Sequence, residues 1–124
     1  MTVIDTSVLI DVLRGDPAAQ RTLGDARSTG RLHASEITRL EVLGGMRSGE
    51  EKSTRDLLDR LVWHPLDAQI AEVGAALGRR WRRSHPGLGA ADLTIAAIAY
   101  VLDAPLLTRN VKHFPMFDGL TKPY

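Results

Sequence analysis

The stretch from Thr2 to Leu13, TVIDTSVLIDVL, sets the architecture. Thr2, Val3 and Ile4 make a short β-prone run, Asp5 ends it with the first charge, and Ser7 to Leu13 turn helical before Gly15 stops them. A strand that passes through a short polar turn into a helix is the opening unit of an α/β layer, where helical crossovers join parallel strands. The rest of the chain repeats the alternation. Asp16-Pro17 is a cap followed by proline at the first helical position and predicts a helix from Pro17 to about Ser28. Leu32 to Ala34 reads as a second strand, and Ser35 caps a helix from Glu36 to Met46 that the glycines at 44, 45 and 49 end. Glu50 to Leu61 reads as another helix and Val62 to Leu66 as a third strand. Asp67 then caps a long helix that reaches Arg83 and is closed by Pro86 and Gly87. Ala90 to Leu102 is apolar on nearly every side, as in a helix buried between layers. Leu106-Leu107 is a brief strand, and Gly119 to Lys122 could add a weak one. The fold class is therefore α/β with a mostly parallel sheet, in one domain over residues 1–124 with no internal repeat or linker.

Composition narrows the chemistry. With 44% hydrophobic and 25% charged residues, the chain has the balance of a globular domain. The longest near-continuous apolar run, Leu93 to Leu102, is about half the ~20 residues that cross a bilayer. The first ten residues carry an acid where a secretory signal has positive charge, so the expected location is the cytoplasm. Absence of cysteine excludes disulfide scaffolds, thiolate zinc sites, iron–sulfur clusters and cysteine nucleophiles. Net charge is only +1, but it is unevenly spread: residues 1–78 sum to −3 and residues 79–124 to +4.

Three acids stand where a solvated carboxylate is not expected. Asp5 is the first polar residue beyond a central strand, where it either caps the next helix or faces a ligand. Glu41 falls on a helix whose apolar stripe reads as Ile37, Leu40 and Gly44, which turns its carboxylate inward and calls for a cation, a metal, or an arginine such as Arg14 or Arg39. Asp92 opens the most apolar helix, where an acid also complements the helix dipole. In a parallel α/β sheet, ligands bind beyond the carboxyl ends of the strands, and all three elements, with Thr108 to Asn110, are candidates for that edge. Oxygen ligands without cysteine suit Mg²⁺ or Mn²⁺ and a phosphate-ester substrate, and such an ion can activate water for hydrolysis with no protein nucleophile.

Taken in order, Asp5-Thr6-Ser7 after an apolar strand, Glu41 in TRLEVLGG, Asp92 in AADLTIAAIA and LLTRNVKHF near the end resemble the PIN-domain ribonucleases, in particular the VapC-type toxins of bacterial toxin–antitoxin pairs. The resemblance spans almost the whole chain. It implies a PIN-like three-layer α/β/α domain with a central sheet of four to five strands. It also implies a Mg²⁺- or Mn²⁺-dependent endoribonuclease whose metal is held by Asp5, Glu41 and Asp92, with Thr108 as the hydroxyl beside the site. A VapB-type antitoxin and a second copy of the chain are the implied protein partners, and structured RNA such as tRNA or ribosomal RNA the implied substrate. Many relatives carry a fourth acid in the segment matching Thr108 to Phe114. Here Asn110 stands instead, able to ligate through its amide oxygen but without charge, and His113 beside Phe114 reads as a packed loop histidine.

Arg79, Arg80, Arg82 and Arg83 surround Trp81 near a helix end. They suit either a solvated helix terminus with Trp81 in the core, or contacts to RNA phosphates. Leu57, Leu58 and Leu61 could serve either core or interface. Two other functional classes compete. A phospho-acceptor receiver module needs paired early acids and a late lysine, whereas here Asp5 is alone and Lys112 is poorly placed; Ser7 likewise removes the two-aspartate phosphatase pattern. A non-catalytic module would bind nucleic acid or a partner through the arginine cluster and use the acids only as caps and salt bridges.

Overall fold

Val3 and Ile4 are chain neighbours and both fully buried, yet they belong to separate cores. In a strand, successive side chains leave opposite faces, so a strand apolar at adjacent positions must be covered on both. The computed structural model describes all of residues 1–124 and shows that covering. Strand β1 (Thr2–Ile4) leads into α1 (Thr6–Leu13) and α2 (Pro17–Thr29). Next come β2 (Leu32–Ser35), α3 (Glu36–Gly44) and α4 (Glu51–Leu58). After these, β3 (Val62–His64), α5 (Ala68–Trp81), α6 (Ala90–Leu102), β4 (Leu106–Leu107) and a single 3₁₀ turn at Val111–His113 complete the chain. The strands lie in the order β3-β2-β1-β4, all parallel. Ile4 packs with Val8, Leu9, Leu23 and Leu57 from the helices on one face; Val3 packs with Ile70, Leu77, Leu93 and Ile98 from α5 and α6 on the other. The architecture is the expected three-layer α/β/α domain, with four strands.

Local chemistry sets most boundaries. Asp16 accepts from the backbone N–H groups of Ala18 and Ala19, Ser35 from that of Ile37, and Asp67 from that of Ile70, each taking up a donor that the first helical turn leaves free. Seven consecutive residues of α6, Leu93 to Ala99, are buried, as its near-continuous apolarity predicts, with the one polar side chain among them, Thr94, donating to the Ala90 carbonyl. Gly74 and Gly78 let α5 approach α6 closely: a Cβ on Gly78 would lie 3.1 Å from Leu93 Cδ1. No helix is long and apolar enough to cross a membrane.

Several expectations change. Residues Gly119 to Lys122 form no strand. Gly119 turns the chain at φ +73°, and the tail runs to α1, where the Tyr124 hydroxyl donates to Asp11 Oδ2 at 2.6 Å. Strand β3 ends at His64, just before Pro65, and α3 ends at Gly44 rather than Met46. Leu57, Leu58 and Leu61 all lie in the core beneath Ile4 and are not surface for a partner. On α3, only Ile37 of the stripe Ile37, Leu40 and Gly44 packs inward: Leu40 is 66% exposed, while Thr38 and Val42 are buried.

Where β2 meets β3, His33 Nδ1 lies 2.8 Å from His64 Nε2. Such a pair shares one proton between the rings, and protonating both would set two N–H groups head to head. Burial, followed by the nearby His64, holds the His33 pKa below the ordinary 6.5. The unfolded chain therefore binds more protons below that value, so this pair supports the fold fully above about pH 6.5 and loses its contribution as pH falls through the His33 pKa. Thermal unfolding followed from pH 7.5 to 5 is expected to show a falling Tm, and His33→Gln to flatten that slope.

Candidate functional site

Each parallel strand delivers its last residue to the same edge of the sheet, so Asp5 after β1 and Thr108 after β4 arrive side by side. Asp5 occupies the N-cap position of α1 but makes no capping bond with its side chain. Instead its Oδ2 accepts hydrogen bonds from the Ser7 hydroxyl and from the Thr108 hydroxyl, both at 2.7 Å. Asp5 is only 4% exposed, and Thr108 is buried beside it while also accepting from the Asn110 backbone N–H at 2.9 Å. Ser7 in turn accepts from the Arg109 backbone N–H, so the turn after β1 and the loop after β4 are stitched through one carboxylate. Its other oxygen, Oδ1, accepts no hydrogen bond from the protein.

Glu41 comes to this edge from α3. Its Oε1 accepts a hydrogen bond from Thr6, the residue next to Asp5, at 2.8 Å, and Thr6 Oγ1 also lies 2.9 Å from the Thr38 hydroxyl. Thr6 has one proton, so it donates to the carboxylate and accepts from Thr38. The arginines considered as partners are engaged elsewhere: Arg14 with Glu50, Arg39 with Glu36 and with its guanidinium carbon 4.3 Å from the Trp63 ring centroid. Glu41 is thus exposed and free of any cation, not turned inward. The reason is the helix phase: Thr38, not Leu40, points at α1, and Glu41 follows it at the rim.

Asp92 sits in the first turn of α6, 21% exposed at its side chain. Its Oδ2 lies 3.4 Å from the Gly89 backbone N–H, a long capping contact, and 3.4 Å from His113 Nδ1. His113 is half-exposed and faces this carboxylate; the packed residue is its neighbour Phe114. Asn110 is exposed at the start of the 3₁₀ turn that carries His113. The acids are not drawn into a ready cage, since no three His, Asp or Glu groups stand together at ligating separation. Each acid has instead taken its own hydrogen-bond donor. The donor set nevertheless fits a hard divalent cation: three carboxylates from three elements, each with an oxygen no protein group uses, and no softer ligand.

A second tie braces the loop after β4. Arg109 pairs with Asp11 Oδ2 at 3.1 Å, on the oxygen that Tyr124 also contacts. Burial and then the bond to Asp11 raise the Tyr124 pKa far above its usual value, so this hydroxyl stays a donor. Sequence reasoning missed Thr38 as the residue that orders Thr6 and Glu41, and Asp11 and Tyr124 as the brace. The only local sign of the former was a threonine three residues before the acid, one helical turn away. Of the basic cluster, Arg79, Arg82 and Arg83 line a common groove beside Ala90, while Arg80 lies with its guanidinium carbon 5.4 Å from the Trp81 ring centroid.

Comparison with known proteins agrees with this architecture. The sequence profile of the PIN domain matches residues 2–118. Ribonuclease VapC19 of Mycobacterium tuberculosis is 44% identical over 125 residues, covering 100% of both chains. Ribonuclease VapC10 of the same organism is 42% identical over 124 residues, covering 100% of this chain and 93% of that one. Among solved structures, a toxin–antitoxin complex from Klebsiella pneumoniae superposes with a TM-score of 0.81 at 28% identity, over 100% of this chain and 98% of that chain.

Proposed function

This chain belongs to the PIN-domain family, and on that basis we propose that it is the ribonuclease toxin of a toxin–antitoxin pair, a hydrolase of RNA phosphodiester bonds. Its cofactor in this reading is Mg²⁺ or Mn²⁺, held by Asp5, Glu41 and Asp92. The observation that carries the reading is the use made of Asp5. A nearly buried carboxylate at the end of the central strand declines its capping role and is locked by two hydroxyls, one from the turn after β1 and one from the loop after β4, with one oxygen left over. Burying charge is costly unless it serves a partner or an ion.

Each side chain then has a task. Ser7 and Thr108 hold the Asp5 carboxylate in one orientation. Thr6, ordered by Thr38, sets the rotamer of Glu41. His113 stands by Asp92 at the rim, and Asn110 adds a neutral amide for a phosphate oxygen or water. A bound divalent cation supplies charge neutralisation at the scissile phosphate and activation of water. The proposed macromolecular partners are a VapB-type antitoxin and a second copy of the chain. Leu40, exposed one residue from Glu41, is apolar surface available to either.

The test is cleavage of structured RNA, tRNA and ribosomal RNA included, by the purified chain. EDTA is expected to silence it, and Mg²⁺ or Mn²⁺ to restore it. Glu41→Ala, which takes from the Thr6 hydroxyl its acceptor, is expected to cost only about 1 kcal/mol of stability, leaving the fold intact, while removing cleavage. Cleavage that persists in EDTA would refute the metal assignment. RNA binding with no cleavage at any cation concentration would leave the non-catalytic binding module instead.

A further inference from the structure

Holding an RNA strand in place takes more than the acids, and the cationic groove between α5 and the first half of α6 is suited to it. The groove encloses about 610 Å³, within the range that accepts one small group, so there is room for a nucleotide or two of a single strand. Gly74 and Gly78 meet Leu93 along it, and the glycines put no side chain into the space. Arg79, Arg82 and Arg83 line it, no Asp or Glu does, and none of the three makes an ion pair. Three guanidinium groups along one groove without a counter-charge give it a positive field suited to a polyanion. Arg82 Nε donates to the Leu88 carbonyl at 3.0 Å, which ties this end of the groove to the segment entering α6. Ala90, in the lining, opens the helix whose first turn carries Asp92, but the two side chains leave that turn on opposite sides, so the groove and Asp92 flank the start of α6.

We infer that this groove receives a single-stranded segment of the RNA across the start of α6 from the acids, with Arg79 and Arg83 on its phosphates and the sugar and base against the small-residue floor. Arg82 acts through its tie to Leu88, and Arg80 takes no part. The inference rests on the ribonuclease reading for the identity of the strand.

The experiment measures binding apart from cleavage. Fluorescence anisotropy in EDTA follows a labelled single-stranded RNA, and its duplex, across a series of salt concentrations. Arg79→Ala/Arg83→Ala is expected to weaken single-strand binding about tenfold or more and to reduce the slope of log affinity against log salt by about 1.4, near 0.7 for each phosphate no longer neutralised. Ala75→Phe, at an exposed position lining the same groove, is expected to weaken binding with the salt slope unchanged. Arg21→Ala/Arg55→Ala removes equal charge from α2 and α4 and is expected to change affinity less than twofold. The inference is overturned if the two arginine pairs weaken binding equally, if Ala75→Phe binds as the parent does, or if duplex RNA binds as well as the single strand. Cleavage assayed in parallel separates the two readings. Cleavage with groove-independent binding defeats the groove alone, whereas groove-dependent binding without cleavage in any divalent cation defeats the ribonuclease reading.

Discussion

Asp5→Asn is expected to lower RNA cleavage by about 10²–10³-fold, the scale on which one preorganised electrostatic group acts in a transition state, while the chain keeps its fold. The asparagine amide oxygen can still accept from Ser7 and Thr108, so neither hydroxyl is orphaned. What is lost is the negative charge, and an NH₂ group replaces the oxygen that no protein group uses. Asp5→Ala gives a different result. It strands two hydroxyls at a buried position and should also cost about 1–3 kcal/mol of stability. Comparing the two variants by unfolding and by cleavage thus separates the carboxylate's charge from its role as a structural acceptor. Cleavage at the parent rate by folded Asp5→Asn would remove this residue from the site and, with it, the strongest support for a cation there.

Why some of this is legible in the chain and some is not follows from the range of the interactions. Caps act over three residues, so Asp16, Ser35 and Asp67 mark helix starts that the structure confirms. The near-continuous apolarity of Leu93 to Ala99, broken only by Thr94, likewise needs no tertiary knowledge to be read as burial on all sides. Helix α3 is different. It has only nine residues, and two rows about 100° apart compete for its inner face. Ranking by hydrophobicity selects Ile37, Leu40 and Gly44. The other row wins because Thr38 satisfies its hydroxyl on Thr6, 32 residues away, a partner invisible from the helix alone. His113 departs from its expected packing for a similar reason. Either His113 or Phe114 could fill the core, and only the path of the 3₁₀ turn shows that Phe114 does and that His113 faces Asp92. The arginine cluster, equal in sequence, divides three to one because Arg80 leaves the helix on the side of the Trp81 ring.

That same 3₁₀ turn carries the largest stability effect expected. Phe114 is 1% exposed and packs in the core of α5 and α6, with the Phe117 ring centroid 6.3 Å from its own. It is held by little secondary structure: β4 has two residues, and the turn before Phe114 has three. The phenyl ring therefore acts as the anchor of the loop from Thr108 to His113, and removing it leaves a cavity that α6, buried along seven residues, cannot collapse to fill. Phe114→Ala is expected to cost about 3–5 kcal/mol, which for a domain of this size lowers Tm by about 10–25 °C. Cleavage should fall too, at temperatures where the variant is still folded, because Asn110 and His113 lose their fixed position while the Asp5, Ser7 and Thr108 bonds remain. Phe114→Leu, which refills most of the volume, should recover much of both losses. If Phe114→Ala unfolds within a few degrees of the parent, the loop is held from elsewhere. The ties through Thr108 and through Arg109 to Asp11 would then be its real anchor.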